Sequence, residues 1–134
     1  MLYNRRQSPR ARLRTAVVEG GFSIESAKVM PSFLVTGGAG FIGSHMVDFL
    51  VGRGEQVRVV DNLSTGRAEN LAGARQRIEF IEGDLCEADV CADAARDMDY
   101  VLHQAALPSV PRSVADPLAS HHANVTATVN LLNA

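Results

Sequence analysis

The chain has 134 residues, a net charge of −2 and a hydrophobic content of 46%, which suits one small domain with a buried core. It has no run of about 18 apolar residues and no apolar segment typical of a signal peptide, so we expect no membrane partner. Its only cysteines, Cys86 and Cys91, lack Cys or His neighbours at metal-ligand spacing. They predict no metal site, and we interpret them as free thiols in a reducing cytoplasm.

The first 29 residues differ in charge from the rest of the chain. Residues 1–29 carry six basic and two acidic side chains, whereas residues 30–134 carry seven basic and thirteen acidic ones. The basic segment lacks a sustained helical or strand period, which predicts a disordered tail. A nucleic-acid-binding arm and an organelle transit peptide are less favoured alternatives, and we expect no nucleic-acid partner. Because Met30 directly precedes a regular pattern, a third interpretation is that residues 1–29 are not native.

From residue 32 onward, short apolar runs alternate with segments of helical period. Strands are predicted near 32–36, 56–60, 78–82 and 99–102. Helices are predicted from Ile42 to Leu50, in the segment EADVCADAAR, and over 114–134. In the last helix, we expect Leu118, His122, Val125, Val129 and Leu132 to face the sheet. A second face, with Ala119, Ala123, Thr126 and Asn130, is small enough for close approach of another helix.

This alternation predicts the fold class. Connections too long for hairpins indicate parallel strands with right-handed crossovers. We therefore expect an α/β fold: the N-terminal part of a doubly wound parallel sheet, truncated, with strand order 3-2-1-4. A ligand is expected at the carboxyl ends of the strands, between strands 1 and 4.

A glycine-rich loop separates the first strand from the first helix. Gly37, Gly40 and Gly43 have the spacing that permits a tight turn, close approach of a ligand and close helix packing. Such a loop exposes backbone N–H groups at a helix N-terminus, which suits a pyrophosphate. A nucleotide-triphosphate P-loop needs a lysine after the last glycine, but Ser44 follows Gly43. A tight turn with close packing and no ligand is the alternative.

Asp61 ends the second predicted strand, 18 residues after Gly43. In a dinucleotide-binding fold, a carboxylate there accepts hydrogen bonds from the adenosine ribose, and it would repel a 2′-phosphate. The sequence therefore favours NAD over NADP, although Arg67 is near enough to weaken that preference. The alternative role of Asp61 is to cap a turn.

Five segments in the same order resemble one known family. They are VTGGAGFIGSH, DNLSTG, EGDL, VLHQAA and NVTATVNLLNA, the last with Ala127 where that family commonly has glycine. On these segments, residues 32–134 resemble the N-terminal part of the extended short-chain dehydrogenase/reductase family, within its nucleotide-sugar epimerases and dehydratases. The resemblance implies a Rossmann domain over residues 30–134 and NAD as the cofactor. The cofactor-binding residues it implies are Gly37, Gly40, Phe41, Ile42, Gly43, Asp61, Asn62, Ser64, Gly66, Asp84, Leu85, Ala105, Ala106 and Asn124.

Within that family the chain looks most like UDP-sugar 4-epimerases, with dehydratases and decarboxylases as the nearest variants. The resemblance implies that the loop after the fourth strand reaches a UDP-sugar through Ser109, Arg112 and Ser113. The alternative is a proline-stiffened loop in which Ser113 caps a helix. His103 ends an apolar strand, and we interpret it as a hydrogen-bonded core histidine.

The catalytic pair of the family, Tyr-x-x-x-Lys, does not occur in this sequence. The only tyrosines are Tyr3 and Tyr100, and the only lysine is Lys28. We therefore expect a fragment, inactive by itself, of an enzyme that forms a homodimer when complete. The competing hypothesis is a non-catalytic module that binds a dinucleotide.

Overall fold

The computed structural model describes residues 30–134, so the predictions made for residues 1–29 lie outside the described residues. The four predicted strands are confirmed, and the fourth begins one residue later than expected. Their bounds are β1 Ser32–Thr36, β2 Gln56–Asp61, β3 Ile78–Glu82 and β4 Tyr100–His103.

The strands form one parallel sheet with the order β3-β2-β1-β4, as predicted. At its centre, Val35 of β1 is paired with Val59 of β2 on one side and with Leu102 of β4 on the other. Because all four strands run in the same direction, their carboxyl ends meet at one edge of the sheet. The glycine loop and the segments that follow β2, β3 and β4 all leave from that edge.

Helices cover both faces of the sheet, which accounts for the continuous apolar runs in the central strands. Helix α1 (Phe41–Gly52) packs on one face, where Val47 and Leu50 share a core with Val35 and Val59. Helix α2 (Ala88–Ala95) and the last helix cover the other face, where Cys91 and Leu131 share a core with Leu34. Two 3-10 turns, Ala68–Leu71 and Arg75–Arg77, lie between β2 and β3. The fold is therefore doubly wound, as the alternation of elements predicts.

The predicted single helix over 114–134 is wrong in its first part. A short helix, α3 (Val110–Ala115), is followed by α4 (Pro117–His121), a π-helical turn (His122–Thr126) and α5 (Ala127–Asn133). The break lies at Asp116, whose carboxylate accepts a hydrogen bond from the Ala119 amide at 2.9 Å, while Pro117 occupies the first helical position. An aspartate N-cap followed by proline begins a new helix and cannot continue an old one.

The predicted orientation of this last helix is also wrong. The large aliphatic side chains expected to face the sheet are exposed: Leu118 is 71%, Val129 58% and Leu132 82% accessible. The buried positions are instead Ser120, Ala127 and Leu131. Small side chains let the helix approach the sheet closely, so a face of lower hydrophobicity packs inward.

One residue of the small-residue face, Asn130, bonds the protein internally. The amide of Asn130 donates to the carbonyl oxygens of Leu85 and Cys86, at 3.1 and 2.9 Å. Ala119 and Ala123 line a cleft, described below. No helix within residues 30–134 is both long and apolar enough to cross a membrane.

Candidate functional site

Two of the three loop glycines predicted to bind a ligand, Gly37 and Gly43, are required by packing inside the protein. Gly37 has φ +65°, donates to the Val60 carbonyl at 2.8 Å, and would place a Cβ 2.6 Å from the Ala105 nitrogen. A Cβ on Gly43 would overlap the Gly37 carbonyl oxygen. Both positions therefore exclude every other residue for reasons of fold alone.

Gly40 differs from these two glycines in the severity of the contact. A Cβ here would meet one atom within 4 Å, the Gly37 carbonyl oxygen at 3.2 Å, and the backbone is extended with φ −75° and ψ 174°. Backbone strain does not require glycine, and the single tight contact could be relieved by a shift of a few tenths of an ångström. The Gly40 backbone lies on the wall of an open cleft, where the absence of a side chain lets a ligand approach the main chain.

Gly40 is also the N-cap of α1, and this helix end has no internal anion. No side chain caps it, and its first turn contains no acidic residue. The N–H groups at the start of an α-helix lack partners within the helix and carry the positive end of its dipole. The loop and helix start can thus accept an anionic group such as a pyrophosphate.

Asp61 stands at the carboxyl end of β2, next to the glycine loop. Its side chain is buried, and its two oxygens accept from the Ala39 amide at 2.9 Å and the Leu63 amide at 2.8 Å. A carboxylate oxygen has two lone pairs, so each oxygen keeps one for a further donor. Asp61 therefore holds the loop, as the turn-capping alternative supposes, and retains the capacity to accept ligand hydroxyls.

A second carboxylate, Asp84, follows β3 beside Asp61. It accepts from the Cys86 amide at 2.8 Å and from the side-chain amide of Asn62 at 3.0 Å. The hydrogen bond from the Cys86 backbone is the main reason that the pKa of Asp84 is below its usual value. Asp84 is thus a fixed anionic acceptor. Asn62 is held in turn, because its oxygen accepts from the Ser64 amide at 3.1 Å.

These groups surround a cleft of about 600 Å³ at the carboxyl edge of the sheet. Most of the predicted cofactor-binding residues lie together on the walls of this cleft. They are Gly37, Gly40, Phe41, Ile42, Gly43, Asp61, Asn62, Ser64, Gly66, Asp84, Leu85, Ala105 and Ala106. The cleft lies between the ends of β1 and β4, where the strand order predicts a ligand.

Asn124 does not line the cleft, and its side chain holds one of the cleft walls. Its oxygen accepts from the Leu107 amide at 2.7 Å, and its nitrogen donates to the Leu107 carbonyl at 3.3 Å. Leu107 itself is on the wall. The position of Asn124 therefore favours an indirect role in shaping the cleft.

The three predicted substrate residues lie beside the cleft, on or before α3. Ser109 is the N-cap of α3, with its hydroxyl accepting from the Arg112 amide at 3.4 Å. The predicted capping serine, Ser113, is not the cap, since it lies within the helix and donates to the Val110 carbonyl at 2.9 Å. Arg112 is exposed in the last turn. None of the three lines the cleft as it stands.

Sequence reasoning missed several cleft residues. Thr65, Gly83, Cys86, Gln104, Leu107 and Pro108 directly adjoin predicted residues on the same loops, so widening each segment by one or two residues finds them. Ala119, His122, Ala123 and Ala127 come from the last helix. They were missed because that helix was expected to present a different face. Within residues 30–134, no group of three His, Cys, Asp or Glu side chains is placed to hold a metal ion.

Comparison with known proteins now identifies the family. The model of the NAD dependent epimerase/dehydratase family matches residues 33–134, nearly all of the described chain. The chain belongs to this family.

Relatives in the epimerase/dehydratase family include enzymes of more than one reaction type. The chain is 45% identical over 104 residues to the UDP-glucose 4-epimerase of Mycolicibacterium smegmatis, covering 75% of this chain and 33% of that protein. Among solved structures, the UDP-glucose 4-epimerase of Thermus thermophilus in complex with NAD is 43% identical, with a TM-score of 0.69, covering 76% of this chain and 32% of that one. DesIV of Streptomyces venezuelae, a dTDP-glucose 4,6-dehydratase, is 38% identical with a TM-score of 0.71 and covers 76% and 34%. The chain thus spans about a third of the length of its relatives.

Proposed function

We propose that this chain is the NAD-binding portion of a nucleotide-sugar 4-epimerase. The observation that carries the proposal is Gly40, a glycine that backbone strain does not require, located on the wall of the cleft at an uncapped helix N-terminus. The names of the relatives support both the cofactor and the substrate class. When bound, NAD takes a hydride from the sugar C4 and returns it.

Each part of the dinucleotide is assigned to residues already described. The pyrophosphate binds the backbone from Gly37 to Gly43, with Phe41 and Ile42 contributing amides at the start of α1. Asp61 accepts from the adenosine ribose hydroxyls, and the loop containing Asn62, Ser64 and Gly66 encloses that ribose. Asp84 and Leu85 border the adenine. Ala105 and Ala106 leave space for the nicotinamide end, since their side chains are small.

The sugar nucleotide is assigned to the loop and helix after Ala106. Arg112 on α3 supplies a positive charge for a UDP-sugar, while Ser109 and Ser113 supply hydroxyls at either end of the same turn. This sequence contains no Tyr-x-x-x-Lys pair to move the proton of the sugar 4-hydroxyl. We therefore propose that the 134-residue chain binds NAD without epimerase turnover. We also propose that the protein is cytoplasmic, since its two free thiols, Cys86 and Cys91, suit a reducing compartment.

A 4,6-dehydratase is the second candidate, favoured by the similarity to DesIV. Both reactions begin with hydride transfer from sugar C4, so the residues that bind NAD are the same. We also propose a homodimer for the complete protein. Its interface is assigned to the exposed aliphatic face of the last helix, Leu118, Val125, Val129 and Leu132.

The proposal is tested by calorimetric titration of NAD into the 134-residue chain and into two glycine variants. Gly40→Val places a side chain over the main chain that binds pyrophosphate, and Gly52→Val is the matched control, since a Cβ on Gly52 meets no atom within 4 Å. We expect wild type and Gly52→Val to bind alike, and Gly40→Val to bind at least tenfold more weakly, about 1.4 kcal/mol. Folded wild type that does not bind NAD, or Gly40→Val that binds equally well, contradicts the proposal.

A further inference from the structure

A chain of partly buried hydrogen bonds joins β1, β4 and the last helix, close behind the cleft. Thr36 Oγ1 lies 2.7 Å from His103 Nδ1, and His103 Nε2 lies 3.0 Å from Thr128 Oγ1. Thr128 Oγ1 in turn lies 2.6 Å from the carbonyl oxygen of Asn124. His103 is hydrogen-bonded at both ring nitrogens, as predicted, but it is half-buried and does not belong to the core.

The direction of every bond in this chain follows from counting donors and acceptors. The Asn124 carbonyl can only accept, so the Thr128 hydroxyl donates to it and must accept from His103 Nε2. At the other end, Thr36 Oγ1 accepts from the amides of Gln104 and Ala105, at 3.1 and 3.2 Å. The Gln104 amide is shared with the Thr36 carbonyl oxygen, also at 3.1 Å, so these donors compete with His103 for the Oγ1 lone pairs and leave the Thr36 proton to point at His103 Nδ1. The Thr128 end requires a proton on Nε2, and the Thr36 end accommodates an unprotonated Nδ1.

The same chain fixes both ends of one wall of the cleft. At its Thr36 end, it holds the amides of Gln104 and Ala105. At its Asn124 end, it holds the π-helical turn from which the Asn124 side chain bonds both backbone atoms of Leu107. Gln104, Ala105 and Leu107 all line the cleft. The imidazole of His103 therefore links β1, the cleft wall Gln104–Leu107 and the last helix.

We propose that His103 is a positioning residue, held as the Nε2-protonated neutral tautomer, which fixes the cleft wall Gln104–Leu107 through Thr36, Thr128 and Asn124. It does not touch the cleft itself, and it acts through the backbone of the wall. The consequence for dinucleotide binding rests on the function proposed above, whereas the tautomer and the order of the wall do not.

Protonation of the ring would disturb the chain, because an imidazolium needs an acceptor at both nitrogens and Thr36 Oγ1 would have to accept from Nδ1 in competition with the amides of Gln104 and Ala105. Burial lowers the pKa of His103, which keeps the ring neutral. The elements that contact the ring, β1 and α5, have no ionisable side chain. The flanking ionisable groups are Asp99, Tyr100 of β4, and the adjacent histidines His121 and His122. The Asp99 carboxylate accepts a hydrogen bond from the Ser32 amide.

The first test is nitrogen-15 NMR of the imidazole rings in protein labelled at its four histidines. At pH 7 we expect a bare Nδ1 and a protonated Nε2 for His103, with its signals identified by their loss in His103→Asn. A ring protonated on Nδ1, or on both nitrogens, at pH 7 overturns the proposal. This measurement needs no bound dinucleotide.

The second test is amide hydrogen exchange in Thr128→Val, which keeps the side-chain size and removes the acceptor for Nε2. We expect exchange at Gln104, Ala105 and Leu107 to accelerate at least tenfold. Thr126→Val, which removes a hydroxyl from the same helix outside the chain of bonds, is the matched control and should leave these rates unchanged. Unchanged rates in Thr128→Val overturn the proposal.

The third test is the pH dependence of stability. Because the pKa of His103 is lower in the folded protein than its ordinary value near 6.5, the unfolded chain binds a proton first as the pH falls. The free energy of unfolding should therefore decline below about pH 6.5. His103→Asn should lose this component and His121→Asn should keep it, and the opposite result overturns the proposal. If all three tests succeed and NAD still does not bind, the proposed function fails and the positioning role stands.

Discussion

Gly37, Gly40 and Gly43 are glycine for three different physical reasons. Gly37 is set by a positive φ and Gly43 by contact with the Gly37 carbonyl, whereas a Cβ on Gly40 would meet a single protein atom within 4 Å and Gly40 faces the cleft. The spacing of the three glycines could be read from the sequence. Which of them serves a ligand could not, because that depends on atoms brought close by β4 and α1.

Asp61 serves the fold and the cleft with the same carboxylate, so its substitution has two separable effects. Asp61→Ala leaves the Ala39 and Leu63 amides without their acceptor, and we expect a loss of about 1–3 kcal/mol in the free energy of unfolding. It also removes the acceptor for the ribose hydroxyls and the charge that repels a 2′-phosphate. The ratio of NAD to NADP affinity should therefore fall.

Urea unfolding measures the first effect of Asp61→Ala and calorimetric titration with both dinucleotides measures the second. Asp48→Ala, which removes a carboxylate from the exposed part of α1, controls for the change in net charge. Equal weakening of NAD and NADP would show that Asp61 only stabilises the loop.

At the scale of elements, the last helix is where sequence and structure differ most. It has two faces of helical period, one of large aliphatic residues and one of alanines, serine and leucine. Hydrophobicity alone selects the larger side chains, yet the smaller ones pack against the sheet and α2, with Asn130 bonding the Leu85 and Cys86 carbonyls. Which face of the last helix packs inward depends on the distance between the helix and the sheet.

Adjacent leucines of this helix provide a direct test of its orientation. Leu131 is 9% accessible and packs in the core, whereas Leu132 is 82% accessible. We expect Leu131→Ala to lower the free energy of unfolding by about 2–5 kcal/mol. Leu132→Ala should change it by less than about 0.5 kcal/mol. Urea unfolding of both variants measures the difference, and a larger cost for Leu132→Ala would restore the orientation first predicted from the sequence.

The strands, by contrast, could be predicted almost to the residue. Phe33, Leu34 and Val35 of β1 and Val59 and Val60 of β2 are consecutive apolar residues, and both strands are bounded by glycine or polar turns, which predicts short buried strands. The positions of the cofactor-binding loops could also be predicted, because these loops begin at the carboxyl ends of those strands. Capping was harder: Ser109 and Ser113 both precede helical residues, and only the structure shows that the turn begins at Ser109. The tautomer of His103 likewise depends on contacts among residues distant in sequence.

At the scale of the whole molecule, large apolar side chains are exposed on several elements of residues 30–134. Phe41, Ile42 and Phe49 lie on α1, and Leu118, Val129 and Leu132 on the last helix, while β4 and α3 expose others. Exposed apolar surface, where it is extensive, marks contact with another protein surface. It fits a chain that spans about a third of the length of its relatives.

We therefore expect the 134-residue chain to self-associate at micromolar concentration. Introducing charge with Val129→Asp and Leu132→Asp should lower the apparent mass in light scattering toward that of a monomer. A control with the same added charge, Gln76→Asp and Ala92→Asp, lies on exposed positions away from the apolar surfaces and should not. A monodisperse wild-type monomer would show that these surfaces need no partner.

Amide hydrogen exchange with and without NAD tests the central claim most directly, because it locates the ligand at low protein concentration. We predict that NAD slows exchange in four segments, 37–45, 61–66, 83–86 and 104–107, which meet at the cleft. Gly40→Val should abolish this protection, and Gly52→Val should retain it. Protection confined to other segments, or none at saturating NAD in a folded chain, would contradict the assignment of this cleft to the dinucleotide.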